Sequence, residues 1–392
     1  MADSYHILKK ELNSELQNIL DYWEKNTPDH KYGGFVGKID HYNNIVHGSS
    51  KGIILNTRIL WAFAAASRHL KVKYYNSVCS RAYNYLIAFF LDIEYDGVFW
   101  ELDYNGNPIN RRKQVYAQAF AIYALSEYYH YSKNKEAKNE AVKLFYLLEK
   151  YAKDKIQRGY TEAFKEDWSP ITDMRLSTKD MNASKTMNTH LHVLEAYTSL
   201  LKIYDDKNLR HSLKELIDLF LDTFLNSNDH FNLFFDEKWN LLSNTASYGH
   251  DIETVWLVIE AAKAVNDNNL VKQAERAAVK VADTFLKEGI DSDGAVMNEH
   301  NFDTGITDTD RHWWPQMEAL VGLKYAYELT GDKKYMEHSL QIWNFTKKYL
   351  IDYQNGEWFF RVNKNGKPYE EDKISMWKAP YHTTRACILM NS

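Results

Sequence analysis

Residues 95–131 read YDGVFWELDYNGNPINRRKQVYAQAFAIYALSEYYHY. A glycine beside aromatic residues is followed by the turn signal DYNGNP at 103–108 and then by a long apolar stretch at 115–131. Asn-Gly is typical of a tight hairpin turn, and the apolar residues of the last stretch recur with a period near 3.6, which indicates an amphipathic helix. The segment therefore predicts one unit made of a loop, a short β-hairpin and a helix.

The same unit recurs along the chain. Glycines beside aromatic or apolar residues stand at Gly34, Gly97, Gly159, Gly294 and Gly356. Their spacing is about 62 residues, apart from one interval of about twice that length, and repeats of fixed period indicate a repeated supersecondary structure. Asn232, in the segment HFNLFF, is predicted to occupy the place of the missing glycine.

Amphipathic helices are predicted between these turns, and the low content of glycine (16) and proline (6) agrees with long helices. Six units, each a helix pair with a short β-hairpin in its loop, predict an all-α (α/α)6 barrel with the second helix of each pair inside. An open α-solenoid is the alternative, although solenoid units are typically shorter. No linker or charge block divides the chain, so we expect one domain spanning residues 1–392. The predicted helices cover 7–23, 54–68, 74–91, 115–131, 136–150, 189–203, 213–225, 252–265, 270–286, 315–329, 334–349 and a short segment after His382.

The composition argues against nucleic acid and membranes as binding partners. The chain has 48 basic and 53 acidic residues, a net charge of −5, so it lacks the basic surface that nucleic acid or an anionic membrane requires. Two cysteines, Cys79 and Cys387, cannot form a disulfide framework, and the polar N-terminal segment lacks an apolar signal core. We therefore expect a cytoplasmic protein, a monomer or weak homodimer. Aromatic residues make up 15%, which favours a sugar ligand.

Polar residues that are unusual in helices fall at or near the start of the second helix of each unit. In a closed barrel, equivalent positions converge on one mouth, so residues more than three hundred positions apart are predicted to share one pocket. The residues in these positions are Arg58, Tyr116, Asn188, His192, His250, Glu253, Trp314, Glu318 and His382.

Spacing suggests how some of these side chains act together. Asn188 and His192 are four residues apart and share a helical face. Glu253 lies three residues after His250, so its carboxylate is expected to orient the imidazole, as in a tuned acid/base; an ordinary ion pair is the alternative. Arg58 lies within an apolar helix, where it either forms a buried ion pair or binds anionic oxygen.

Trp313 and Trp314 precede Pro315, and proline favours the first helical position, so both indoles are predicted on the loop that enters the helix. There they would stack on a sugar ring, with core packing as the alternative.

The spacing of the histidines on the predicted helix at 189–203 argues against a metal site. His190, His192 and Glu195 are zinc-ligand types, but a helix places His190 and His192 about 200° apart. We therefore expect no metal at these residues.

The segments KGIILNTRILW (51–61), KTMNTHLHVLEAY (185–197), SYGHDIE (247–253), WWPQMEALVG (313–322) and WKAPYH (377–382) resemble the N-acylglucosamine 2-epimerase superfamily, and most closely its cellobiose 2-epimerase branch. The resemblance implies an (α/α)6 barrel that needs no cofactor. It also implies reversible inversion of C2 of the reducing-end glucose of β-1,4-linked disaccharides, which converts cellobiose to glucosylmannose and lactose to epilactose.

The resemblance also implies roles for individual residues. By this resemblance, His250 and His382 would be the two acid/base groups, and His192 would assist ring opening. Glu253 would support His250, and Arg58 would hold the enediolate oxygens. Tyr116, Asn188 and Glu318 would bind hydroxyls, Trp313 or Trp314 would stack on the reducing sugar, and Trp377 on the other sugar. Three positions depart from the branch's usual pattern: Pro315, Ala379 and the pair Thr383 and Thr384.

Other functions remain open at the level of sequence. Within the fold they are a mannose isomerase or an N-acylglucosamine 2-epimerase, although Trp377 favours a disaccharide. A glycoside hydrolase of the same fold would use two carboxylates, which Glu253 and Glu318 could supply. A carbohydrate-binding protein without catalysis would need the stacking aromatics but not the histidines.

Overall fold

The computed structural model describes residues 2–392, and twelve α-helices dominate this part of the chain. Alternate helices form an inner and an outer set. The inner helices are α2 (Ile53–Leu70), α4 (Val115–Ser132), α6 (Met187–Leu201), α8 (Tyr248–Ala264), α10 (Trp313–Thr330) and α12 (Tyr381–Asn391). The outer helices are α1 (Ala2–Asn26), α3 (Asn76–Tyr85), α5 (Lys135–Leu147), α7 (Lys207–Leu219), α9 (Asn268–Glu288) and α11 (Lys334–Tyr349). Helices α3, α5 and α7 each continue into one π-helical turn.

The inner helices close into a ring. Each packs on the next along the chain, and α12 packs on α2. The outer helices α3, α5, α7, α9 and α11 each pack on the inner helix before them, and α1 packs on α12. The predicted (α/α)6 barrel is therefore confirmed, with the second helix of each pair inside, and the open solenoid is wrong.

Composition explains which helices lie inside. In α2 every residue from Ile53 to Ser67 is buried. The outer helix α9 buries one stripe that includes Ala274, Val281 and Phe285, with charged residues on its other face. A helix that is apolar all round must be covered on all sides, whereas one with a single apolar stripe covers a neighbour and faces water.

Short antiparallel strands join neighbouring units at one mouth of the barrel. The strand before each of the inner helices α2, α4, α6, α8 and α10 pairs with a strand of the following unit. The first turns of these helices are thereby held at the same end. The strands are β1 (Lys51–Gly52), β2 (Glu101–Leu102), β3 (Pro108–Asn110), β4 (Lys113–Gln114), β5 (Ala163–Phe164), β6 (Lys185–Thr186), β7 (Phe234–Phe235), β8 (Thr245–Ser247), β9 (Glu299–Asn301), β10 (Ile306–Asp308), β11 (Arg311–His312) and β12 (Arg361–Val362).

An ion pair with a buried basic side chain recurs near these strands. A basic side chain shortly before an inner helix contacts the aspartate of the turn that the glycine repeat marks. Because a buried cation is costly unless paired, each contact fixes its turn against the start of a helix. The pairs are Lys51–Asp29, Lys113–Asp92, Lys185–Asp154, Arg311–Asp291 and Lys373–Asp352, at 2.5–2.8 Å.

The fourth turn differs from the others and corrects one prediction. Asp229 has a φ of 60°, in the left-handed region, and lies two residues before the bridge residue Phe231, as Gly294 (φ 83°) lies two residues before Val296 in the next turn. Aspartate tolerates this region because its short side chain hydrogen-bonds locally. Asp229, rather than Asn232, therefore takes the place of the missing glycine.

Most inner helices begin earlier than predicted, and in α8 and α10 the difference changes where predicted site residues lie. Helix α8 begins at Tyr248 rather than residue 252, and α10 begins at Trp313 rather than Pro315. Trp313 and Trp314 therefore lie in the first helical turn, not on the loop. Pro315 is tolerated there because the first N–H groups of a helix have no acceptor within it. No helix among residues 2–392 is long and apolar enough to cross a membrane.

Candidate active site

The first turns of the inner helices surround a cleft at the strand-bearing mouth of the barrel. The cleft has an empty volume of about 560 Å³, within the usual range for ligand sites. Its lining contains every predicted site residue except Glu318, together with one residue that was not predicted, Phe360. The lining residues are Arg58, Tyr116, Asn188, His192, His250, Glu253, Trp313, Trp314, Phe360, Trp377 and His382.

His192 is anchored through one of its two ring nitrogens. Its Nδ1 lies 2.9 Å from Oε2 of Glu195, three residues further along α6. A carboxylate accepts a hydrogen bond, so Nδ1 carries the proton and Nε2 is left as a proton acceptor in the cleft. The ring lies edge-on to Tyr116, with centroids 4.9 Å apart.

His382 is anchored in the same way, but from another helix. Its Nδ1 lies 2.7 Å from Oε1 of Glu318 on α10. Burial lowers the pKa of His382 well below its usual 6.5, although the charge of Glu253 opposes this. The imidazole is therefore neutral near pH 7 and able to accept a proton.

The position of Glu318 corrects its predicted role. The residue is fully buried, and its carboxylate also accepts hydrogen bonds from Arg385 (2.6 Å) and from Nε1 of Trp256 (3.2 Å). With both oxygens engaged, Glu318 contacts His382 rather than a sugar hydroxyl.

His250 has a different anchor from the one predicted. Its Nδ1 lies 2.8 Å from the hydroxyl of Ser247, whereas the carboxylate of Glu253 accepts a hydrogen bond from Arg385. Glu253 therefore does not orient His250 through a hydrogen bond, and it acts on the imidazole through its charge alone. Burial lowers the pKa of His250 to about 4, and the nearby charge of Glu253 only partly opposes the shift.

Arg58 provides the cation of the cleft. Its two terminal nitrogens donate to the hydroxyl of Tyr116 (2.9 Å) and to the carbonyl of Trp377 (2.8 Å). Its guanidinium also lies over the ring of Phe120, and Nε has no protein partner. No carboxylate among residues 2–392 pairs with Arg58, so its charge is available to an anionic oxygen. Oδ1 of Asn188 is likewise buried without a partner.

Aromatic side chains form the walls of the cleft. The ring of Trp314 lies close to two of the histidines, with its centroid 4.9 Å from that of His250 and 5.4 Å from that of His382. Gly249 makes room for it, because a Cβ there would lie 2.5 Å from the indole. Trp313 is 3% exposed and packs on Phe360, whereas Trp314 is half-buried. Trp314 is therefore the indole of this pair that is better placed to stack on a sugar.

His190 belongs to the core. Its Nδ1 lies 2.7 Å from the carbonyl of Thr186, and its Nε2 accepts the N–H of Tyr160 at 2.8 Å. Both ring nitrogens are engaged, so His190 is not available as a ligand. Glu253, Glu318 and His382 form the one group of potential metal ligands among the described residues whose ligand atoms converge. Arg385 hydrogen-bonds both carboxylates of that group, so a guanidinium already occupies the place of a cation.

Chelation is therefore expected to leave activity unchanged. Incubation with EDTA followed by an activity assay tests this, with a matched sample that receives calcium-saturated EDTA as the control. Loss of activity that a divalent ion restores would support a metal site.

A second cavity of about 670 Å³ adjoins the cleft at Asn188 and His250. Glu162 lines it, and burial raises the pKa of this carboxyl to about 8 although Thr189 and Thr186 hydrogen-bond to it. Glu162 was not predicted, because an isolated glutamate on a loop carries no pattern.

Glu195 and Arg385 were also not predicted as site residues, although the spacing of Glu195 from His192 could have indicated its contact. Glu195 lies three residues after His192, the same spacing that suggested the pair of His250 and Glu253, and here the hydrogen bond forms. Arg385 lies three residues after His382 but contacts three other helices instead. Such contacts are visible only once the barrel has closed.

Comparison with known proteins places this site in a family. The family model for N-acylglucosamine 2-epimerase (GlcNAc 2-epimerase) matches residues 33–386. Cellobiose 2-epimerase of Bacteroides fragilis is 43% identical over 385 residues, which cover 97% of this chain and 98% of that protein. The structure of cellobiose 2-epimerase from Bacillus thermoamylovorans B4167 superposes with a TM-score of 0.94 at 37% identity, covering 98% of both chains. A D-mannose isomerase structure, at 20% identity, a TM-score of 0.85 and 97% coverage of both chains, shares the fold.

Six helix pairs closed around a cleft of histidines and tryptophans define a helical-barrel protein of the carbohydrate-epimerase class. The chain belongs to the N-acylglucosamine 2-epimerase family.

Proposed function

We propose that this protein is a cellobiose 2-epimerase. It reversibly inverts C2 of the reducing-end glucose of β-1,4-linked disaccharides, cellobiose to glucosylmannose and lactose to epilactose. The observation that carries the proposal is that His250 and His382 both lie beside Trp314 in one cleft, each with Nδ1 anchored. Relatives named cellobiose 2-epimerase that match nearly the whole chain support the same substrate class.

The mechanism begins with the opening of the sugar ring, because the C2 hydrogen becomes acidic only beside a free aldehyde. His192 moves the proton between O1 and O5 in this step. One of His250 and His382 then takes the C2 proton, and the electron pair forms a C1–C2 double bond and a negative charge on O1. Arg58 stabilises this enediolate. The other imidazole takes up a proton from solvent as the charge of the enediolate raises its pKa, and it delivers this proton to the opposite face of C2, while the first imidazole releases the C2 proton to solvent.

The low pKa values of His250 and His382 suit this transfer of protons at C2. Burial keeps an unoccupied imidazole neutral, and a neutral imidazole is the form that accepts the C2 proton. Once the enediolate forms, its negative charge raises the pKa of the imidazole that faces it, so the proton is held until it is transferred. The two histidines exchange roles in the reverse direction.

The contacts in the cleft argue against a hydrolase, and the position of Trp377 favours a disaccharide over a single sugar. A hydrolase needs two carboxylates beside the glycosidic bond, but Glu318 lies outside the cleft lining and Glu253 is hydrogen-bonded to Arg385. A mannose isomerase or an N-acylglucosamine 2-epimerase would need only one sugar ring to fit the site. Trp377, which is half-buried on the cleft wall, offers a surface for a second ring.

The test is incubation with cellobiose in heavy water, followed by proton NMR. We expect a new mannose-type reducing end, deuterium at C2 of the product and an intact glycosidic bond. An isomerase would instead accumulate a ketose with label at C1, a hydrolase would release unlabelled glucose, and a binding protein would leave the sugar unchanged. Any of these three outcomes as the main result would overturn the proposal.

Trp377→Ala is expected to weaken disaccharides more than monosaccharides. If the indole stacks on the non-reducing sugar, its loss costs on the order of 1 kcal/mol for cellobiose and little for glucose or mannose. The difference is checked by measuring KM and calorimetric affinity for disaccharides and monosaccharides on the same preparation. Equal losses would mean that Trp377 does not contact the second ring.

The acid/base groups of this mechanism are all side chains, so we propose that it uses no cofactor. Both cysteines are buried free thiols, which agrees with a reducing cytoplasm. We also propose a single catalytic domain that works as a monomer or weak homodimer.

A further inference from the structure

Arg385 lies at the centre of a buried charged cluster beneath the cleft. It is 1% exposed, and its guanidinium donates hydrogen bonds to three glutamates on three different helices: Glu195 on α6, Glu253 on α8 and Glu318 on α10. Tyr381 also donates to Oε1 of Glu195, at 2.6 Å. One cation from α12 therefore connects four of the six inner helices.

Two of these glutamates are the anchors of histidines in the cleft. Glu195 contacts Nδ1 of His192 at 2.9 Å, and Glu318 contacts Nδ1 of His382 at 2.7 Å. Arg385 contacts Oε1 of Glu195, and the histidine contacts Oε2 of the same carboxylate. Oε1 of Glu318 receives hydrogen bonds from both Arg385 and His382. The same guanidinium therefore holds the carboxylates behind both imidazoles.

Burial makes this arrangement dependent on Arg385. Each glutamate is at most 3% exposed, and three buried carboxylates without a cation would repel one another and take up protons. Burial raises the pKa of Glu195, but Arg385 and the hydrogen bond from His192 outweigh it and lower the pKa to about 2. In Glu318 burial outweighs the charge of Arg385 and its hydrogen bond, so the pKa is raised, and Arg385 limits that rise. A protonated glutamate could donate to Nδ1 and place the ring proton on Nε2 instead, where it would block proton acceptance.

We propose that Arg385 is a positioning residue for epimerisation. By holding Glu195 and Glu318, it keeps the proton of His192 and of His382 on Nδ1, so that both imidazoles present a free Nε2 to the sugar. It acts through these glutamates and does not touch the substrate, since it lies outside the lining of the cleft. The inference rests on the proposed function for its kinetic consequences but not for the tautomers it predicts.

Loss of the positive charge of Arg385 is expected to change how kcat/KM depends on pH. The charged groups that act on His382 are Arg58, Glu253, Glu318, Arg385 and His192, and the charges of Arg385 and Arg58 lower its pKa. While the glutamates stay ionised, removing Arg385 therefore raises the pKa of His382. Because the neutral imidazole is the base, the acid limb of the profile of kcat/KM against pH moves to higher pH.

The experiment compares wild type, Arg385→Gln and Arg385→Lys, with Arg68→Gln as the matched control. Arg68 is half-exposed and pairs with Glu127, outside the cluster. We measure kcat and KM for cellobiose against pH. Long-range ¹H–¹⁵N spectra of histidine-labelled protein report the tautomers, and the His192→Asn and His382→Asn variants assign the signals. Circular dichroism checks that each variant is folded.

We expect Arg385→Gln to lower kcat by roughly 10- to 100-fold, the usual effect of a residue that orients a catalytic group, with KM changed by less than about threefold. Its acid limb should move to higher pH, and the Nδ1–H tautomer of His192 and His382 should be lost in part. Arg385→Lys, which keeps the charge, should recover part of kcat and of the tautomer. Arg68→Gln should match wild type.

Unchanged tautomers and an unchanged acid limb in Arg385→Gln would overturn the inference, even if kcat falls. If Arg385→Gln does not fold, Arg385→Lys decides, because a lysine cannot contact all three carboxylates in the geometry of a guanidinium. A wild type that does not convert cellobiose would contradict the proposed function, and the tautomer spectra would then still test the role of Arg385.

Discussion

His382→Asn is expected to lower kcat for cellobiose by roughly 10²- to 10⁴-fold, the usual range for a general acid/base group. Asparagine approximates the size of the imidazole but cannot carry a proton near pH 7, so sugar binding should largely survive. The same loss is expected for His250→Asn. Steady-state kinetics and calorimetric binding of cellobiose separate the two effects, and His211→Asn, a change at a surface histidine that is 72% exposed, is the control.

Proton exchange distinguishes the two histidines. An enzyme with one remaining acid/base group can remove the C2 proton from one epimer and return a solvent proton to the same face. In heavy water one variant should therefore exchange the C2 hydrogen of cellobiose without epimerising it, and the other should do so with glucosylmannose. A variant that keeps more than about a tenth of wild-type turnover would show that its histidine is structural.

Glu318→Gln is expected to lower kcat on the order of 10²-fold or more, with a smaller change in KM. The carboxylate accepts from Nδ1 of His382, from Arg385 and from Trp256, and an amide has only one accepting oxygen. Its NH₂ group must therefore face one of these donors. If it faces His382, the imidazole proton moves to Nε2 and the base is lost, as when the buried acid of a catalytic triad becomes an amide.

Kinetics on cellobiose and a thermal melt test this prediction. Glu260→Gln, on the same barrel but paired with the exposed Lys263, is the matched control. If Glu318 bound a sugar hydroxyl instead, the variant would show a raised KM with kcat nearly unchanged. That result would restore the role predicted from sequence and contradict the one inferred from the contacts of the carboxylate.

The repeat, the fold class and most of the cleft lining could be predicted from sequence. Helical periodicity between recurring turns predicts helix pairs, and the regular spacing of the turns predicts six of them. Because equivalent positions of a closed repeat meet at one mouth, Arg58, Tyr116 and His382 could be assigned to one site although they lie far apart in the chain. Local spacing of three also indicates the contact of His192 with Glu195, which is made within a single helix.

Only the tertiary structure decided which partner each charged group has. Glu253 has the spacing to orient His250, but it contacts Arg385 because that guanidinium lies nearby and carries a full charge, which a neutral imidazole does not. The contact of Glu318 with His382 joins two helices 64 residues apart in the chain. Sequence periodicity shows which face of a helix is buried, but the contacts across the barrel depend on how far each helix is rotated and shifted against its neighbours. That geometry is set by the packing of all six inner helices together.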